Sequence, residues 1–210
     1  MHALIALWFG WVRDWGYGGV VVLMALESTI FPVPSEVVIP PAAYWASQGH
    51  MNLYGVVLAG TVGSYIGSAL SFLVARWVGR LAIQRYGKRF LLSEEKLDRA
   101  ERFLQRYESG GVFFARLLPV VRHLISIPAG ILRMGFGRFS LMTIAGSALW
   151  CAVLAWMGDR VSSRNPGLID NPEAMISAVK HESLWFVGAV LGLAVLYGVT
   201  MRLTARKPVS

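Results

Sequence analysis

The chain has 210 residues, 55% of them hydrophobic and only 15% charged, with a mean hydropathy of +0.53. That composition excludes an ordinary soluble domain and predicts a membrane protein. The formal net charge of +8 gathers beside apolar stretches, which suits anionic lipid headgroups; no soluble module is long enough to be a nucleic-acid reader. The single cysteine, Cys151, excludes an intrachain disulfide and a cysteine-rich metal site, and its apolar surroundings predict a packing role. No metal ligand set and no cofactor is expected.

Residues 1–17 are rich in tryptophan, interrupted by Arg13 and Asp14, and too few to span about 30 Å of hydrocarbon, so they predict an interfacial helix. A basic stretch followed by a small-residue cleavage site is missing, so no cleaved signal peptide is expected. Residues 18–46 are apolar, yet they hold Glu27 and Glu36 together with Pro32, Pro34, Pro40 and Pro41. A carboxylate at mid-bilayer costs roughly 2.5–3.5 kcal/mol, and proline breaks a helix. The segment is therefore expected to enter the membrane, break near Pro32 and Pro34, and return, its polar groups facing a protein-lined cavity.

Residues 53–78 predict a full span whose glycines 55, 60, 63 and 67, with Ser64, Ser68 and Ser71, form a small-residue face for close helix contact. Between Arg76 and Arg106 lie nine basic and four acidic residues, and 79–111 is read as a cytoplasmic amphipathic segment, with Ser93 as its helix cap. Residues 112–135 are apolar again but contain Arg116, Pro119, Arg122, His123 and Pro128. A plain span is expected over 139–157, a charge-balanced external loop over 161–183, and a last span with a cytoplasmic tail over 184–210.

The basic segment and the basic tail both belong in the cytoplasm, and the two plain spans between them satisfy that parity only if 112–135 does not cross. It is therefore expected to be re-entrant from the cytoplasmic side, and 18–46 from the outer side. A shift of 87 positions aligns Pro32 with Pro119, Val33 with Val120, Pro41 with Pro128 and Ala42 with Ala129. The fold expected is thus an all-α polytopic membrane protein, with two opposed re-entrant hairpins and spanning helices in an inverted repeat.

If the hairpin tips meet, Glu27 and Glu36 share a cavity with Arg116 and Arg122. Guanidinium groups remain charged and offer paired planar donors that fit a phosphate. Burial and a neighbouring guanidinium pull a carboxyl group in opposite senses, so either glutamate is a candidate proton exchanger. The alternative for all four is a set of structural ion pairs holding the hairpins together. His123 is equally a helix-terminal hydrogen-bond partner or a proton carrier. Pro32, Pro34, Pro119 and Pro128 are read as hairpin tips or gates. Arg133 and Arg138 are read as snorkelling to headgroups, and the tryptophans, mostly near segment ends, as interfacial anchors.

The run Glu27, Pro32-Val-Pro-Ser-Glu36 and Ala42, together with Phe114-x-Arg116-x-x-Pro119-x-x-Arg122, Ile127-Pro-Ala-Gly130, Met134 and Phe139, resembles the DedA family, also called the SNARE-associated Golgi protein or VTT domain. The resemblance covers about residues 15–160. It implies opposed re-entrant hairpins and movement of lipid between leaflets, with Glu27 and Glu36 at the essential acids and Arg116 and Arg122 at the essential arginines. It also implies, as substrate, undecaprenyl phosphate or a phospholipid such as phosphatidylethanolamine, with dependence on the proton-motive force and links to antimicrobial-peptide resistance. One departure stands out: Gly67-Ser68 and Phe72 occupy positions where many members carry a glycine, an aspartate and, four residues on, a tyrosine.

The function expected is a non-enzymatic, proton-coupled translocase for undecaprenyl phosphate in a bacterial inner membrane, with membrane lipids around it and room for a homo-oligomer. A phosphatidylethanolamine transporter is the nearest alternative. A lipid phosphatase and a non-transporting scaffold are alternatives of other classes; the phosphatase would need a nucleophile or metal ligands beside the arginines.

Overall fold

Proline and glycine punctuate the apolar runs, and the chain folds accordingly. A computed structural model describes residues 2–29, 34–86, 110–118, 121–164, 186, 188, 190–193 and 195, and among these every regular element is helical. Helix α1 spans His2–Trp15 and α2 spans Tyr17–Glu27, joined at Gly16, whose φ of 53° turns the chain sharply. A short 3-10 turn, Ser35–Val37, precedes α3, Ile39–Ser47, and α4 runs over Leu53–Tyr86. A helical stretch over 110–116 (α5) is followed by the short α6, Val121–Leu124, and α7, Ser126–Ile131. The long α8 covers Phe136–Arg164.

The prolines divide into two kinds. Pro40 and Pro41 lie in the first turn of α3 and Pro128 in the first turn of α7, where a missing amide proton leaves no helical bond unmade. Pro34, with φ −71° and ψ 130°, is extended and belongs to the break between α2 and α3. Three of the six prolines in the two broken segments, Pro128 among them, thus lie in the first turns of helices. Pro32 and Pro119 lie outside the described residues.

Helices α4 and α8 are each long and apolar enough to cross a membrane, over Leu53–Val78 and Phe136–Val161. The first coincides with the predicted span, and the helix then continues through residues 79–86, the start of the predicted amphipathic segment. The second extends beyond the predicted 139–157 at both ends. Along α4 the exposed Tyr54, Leu58, Val62, Ile66, Leu70 and Trp77 form an apolar stripe on one side of the helix, as a lipid-facing surface requires. Of the predicted last span, the described positions between 186 and 195 are helical; the rest, with most of 79–111 and 161–183, lies outside the described residues.

The opposite side of α4 receives α2, as its glycines predict. A methyl group added at Gly63 would lie 2.3 Å from the Val21 carbonyl oxygen, and at Gly67 2.1 Å from that of Ala25. No side chain fits there. Helix α7 also packs on α4, with Gly130 against the Phe72 carbonyl, whereas α3 packs on α8, with Gly158 against Pro40. The hydroxyls of Ser28, Ser64 and Ser147 are linked at 2.9 and 3.2 Å, fastening the end of α2 to α4 and α8.

Because the obstruction at Gly67 is backbone, Gly67→Leu should lower stability by about 1–3 kcal/mol, visible as a reduced unfolding temperature in detergent. Gly137, with open space around it within α8, should accept alanine without loss. Equal tolerance at both positions would contradict the packing described.

Candidate functional site: a buried carboxylate and guanidinium cluster

Glu27 is the last residue of α2, where the unsatisfied carbonyls of the helix end disfavour a negative charge. The Ser35 amide, at the start of the 3-10 turn, donates to Glu27 Oε1 at 2.9 Å. Arg122, on α6, forms an ion pair with the same carboxylate oxygen. Both partners are buried, with side-chain exposures of 1% for Glu27 and 7% for Arg122. The acid from the first broken segment and the guanidinium from the second therefore meet directly, away from water.

Arg116, at the end of α5, is also buried. Its Nη1 donates to the Arg122 carbonyl oxygen at 2.9 Å and its Nη2 to Ser126 Oγ at 2.7 Å, clamping the turn that carries Arg122. Gly146 on α8 makes room for the Arg116 side chain: a methyl group there would lie 2.6 Å from its Cβ. The guanidinium also sits 5.8 Å from the Phe139 ring centroid. Two buried donors on this side of α8, Arg116 Nε and Thr143 Oγ1, have no hydrogen-bond partner among the described residues.

Glu36 is buried and joins the cluster through Ser35, whose hydroxyl lies 3.4 Å from Glu36 Oε2. The same hydroxyl accepts from the Trp150 indole N–H at 3.2 Å. The Arg122 guanidinium lies 5.4 Å from the Trp150 ring centroid. All four predicted charged residues are thus buried in one region, with Glu27 and Arg122 in contact. His123 lies on α6, but its side chain is outside the described residues. Arg133 and Arg138 are exposed.

Sequence reasoning passed over Ser35, Ser126, Thr143 and Trp150. Trp150 is fully buried in the interior of α8, so the reading of tryptophans as interfacial anchors does not hold for it. Its place in the middle of a predicted span was the available signal. The departures at 68 and 72 also find an explanation. Ser68 donates to the Ser64 carbonyl at 2.6 Å, and Phe72 stacks on Phe139 with ring centroids 4.4 Å apart. Where many members have an acid and a phenol, this chain has a helix-internal hydrogen bond and an apolar ring stack.

The VTT domain matches residues 33–160. Undecaprenyl phosphate transporter A of Bacillus subtilis is 34% identical over 193 residues, covering 89% of this chain and 95% of the relative. A protein of the same name from Staphylococcus aureus is 30% identical, covering 72% of this chain and 76% of the relative. A Lactococcus lactis relative named alkaline phosphatase-like protein is 30% identical, covering 90% of this chain and 87% of the relative. No solved structure matches. With the domain spanning more than half of the sequence, the chain is a membrane protein that belongs to the VTT-domain, or DedA, family.

Proposed function

We propose that the protein is a lipid translocase, not an enzyme, that carries undecaprenyl phosphate between the leaflets of a bacterial inner membrane. The observation that carries this reading is the pairing of Glu27 with Arg122 inside an apolar chain. A paired, buried arginine is a phosphate site held in reserve, because an incoming phosphate competes for the same donors as the carboxylate. The unmatched donors Arg116 Nε and Thr143 Oγ1 support an oxygen-rich ligand. The names of the Bacillus and Staphylococcus relatives favour a polyprenyl tail over the phosphatidylethanolamine alternative.

In the mechanism proposed, the lipid phosphate displaces Glu27 from Arg122, and Glu27 takes up a proton, since an ionised carboxylate stripped of its partner is costly in a dry interior. On release of the phosphate, Glu27 loses the proton and the ion pair re-forms. Each turnover thereby moves a proton with the anion. Glu36 is the second proton exchanger, and Pro32, Pro34 and Pro119 act as the gates while the prenyl tail stays in lipid.

The proposed membrane arrangement is an inverted repeat of two re-entrant units, entering from opposite faces, with the C-terminus cytoplasmic. Reciprocal packing supports it: α3 of the first unit lies on α8 of the second at Gly158, and α7 of the second lies on α4 of the first at Phe72. In the same way α2 crosses α4 at Gly63 and Gly67, and α5 crosses α8 at Gly146. Two units that exchange their contacts in this manner fit a central site opening to either side.

In proteoliposomes, Arg122→Ala and Arg116→Ala should each reduce leaflet exchange of a fluorescent polyprenyl phosphate by at least about tenfold, the scale of a lost hydrogen bond to a charged group. Arg122→Lys should restore only part of it, because an ammonium lacks the planar donor pair. Normal exchange by both alanine variants would contradict the proposal. With a pH gradient imposed across the vesicle, wild-type exchange should accelerate in the direction of proton flow, and Glu27→Gln should show no response. A gradient response that survives in Glu27→Gln would remove Glu27 from the coupling scheme.

A further inference from the structure

Four groups around the ion pair form a closed ring. The Ser35 amide donates to Glu27, Glu27 pairs with Arg122, Arg122 lies over the face of Trp150, and the Trp150 indole N–H returns to the Ser35 hydroxyl at 3.2 Å. The members come from four places in the chain: the end of α2, the 3-10 turn, α6 and α8. Trp150 is the one that touches both broken segments without being charged. Its ring is fully buried, and Phe186 lies against it with ring centroids 5.9 Å apart, so it has little freedom to follow a moving partner.

We propose that Trp150 is a positioning residue that latches the two broken segments together: its ring face holds Arg122 in line for the phosphate, and its N–H holds the 3-10 turn against α8 through Ser35. An indole N–H in an apolar interior needs an acceptor, and Ser35 Oγ supplies it. With α2 held against α4, moving the 3-10 turn away from α8 unmakes the Trp150–Ser35 bond and the Ser35–Glu27 bond together. Loss of the Ser35 amide from Glu27 and departure of the turn become one event. The face of the ring remains under Arg122 throughout, keeping the guanidinium oriented while its carboxylate leaves.

The chain supplies its own reporter. Cys151 is the single cysteine, is fully buried, and follows Trp150 directly, with its sulfur beside Gly60 on α4. Opening at Trp150 should expose it to alkylation by N-ethylmaleimide in neutral phospholipid vesicles. Trp150→Phe removes the N–H and keeps a ring, and Ser35→Ala removes the acceptor. Each should speed alkylation roughly five- to tenfold, the scale of one lost hydrogen bond, and the double variant should react no faster than either. Effects that multiply, or rates unchanged in both single variants, would overturn the latch.

A second readout separates the two uses of the ring and rests on the translocase reading above. For exchange of fluorescent polyprenyl phosphate, Trp150→Phe should lower the maximal rate with KM retained, whereas Trp150→Leu should raise KM several-fold. A KM that does not move in a folded Trp150→Leu protein would rule out the positioning role. Should wild-type protein exchange no polyprenyl phosphate, the translocase reading falls, and the alkylation series still decides the latch. If Trp150→Leu fails to fold, the Phe and Ala variants carry the test alone.

Discussion

The ion pair between Glu27 and Arg122 is the interaction around which this protein is built. Removing one side of such a buried pair costs roughly 3–5 kcal/mol, yet replacing both sides by well-packed apolar residues is often neutral or stabilising. Stability alone therefore gives a membrane protein little reason to keep it. A separable pair that offers an arginine to an anion does give one, since the energy of the pair becomes the energy a substrate must match.

The backbone around the pair follows from the need to bring it together. Glu27 stands at the C-terminal end of α2, where the helix dipole repels it, and the Ser35 amide and Arg122 of α6 supply compensating donors. Those approaches need bare backbone surfaces. Gly63 and Gly67 let α2 lie against α4, and Gly146 lets Arg116 pass over α8. Arg116 then spends two of its donors on the turn that carries Arg122, so one arginine stabilises the loop geometry of the other. The hydroxyl links among Ser28, Ser64 and Ser147 tie the same helix end to both long helices. Rigid helices thus surround a cluster whose own members lie in short, broken segments.

Much of this was legible in the sequence, because the signals were incompatible with their surroundings. A glutamate or an arginine in an apolar run must have a partner, and proline in the same run must either begin a helix or interrupt one; both statements hold without knowing the fold. The small-residue face of α4 was readable from spacing alone, and its contact with α2 was found where the glycines stand. Ser35 and Trp150 were not readable in that way. A serine beside a proline and a tryptophan in an apolar helix have many ordinary uses, and their importance arises only when folding places one hydroxyl against one indole. The prolines show a related limit. Pro40, Pro41 and Pro128 break nothing, since each falls in a helix's first turn, and that position depends on helix boundaries that spacing does not settle. Glu36 meets the cluster through Ser35, a route that the pairing of two acids with two arginines did not anticipate.

The central claim is that a lipid phosphate takes Arg122 from Glu27, leaving the carboxyl group protonated. Infrared difference spectroscopy of the protein in vesicles, with and without added polyprenyl phosphate, observes that carboxyl group directly. The account predicts a protonated-carboxyl band that appears on lipid binding and is missing in Glu27→Gln. Binding without such a band, or a band that persists in Glu27→Gln, would contradict it.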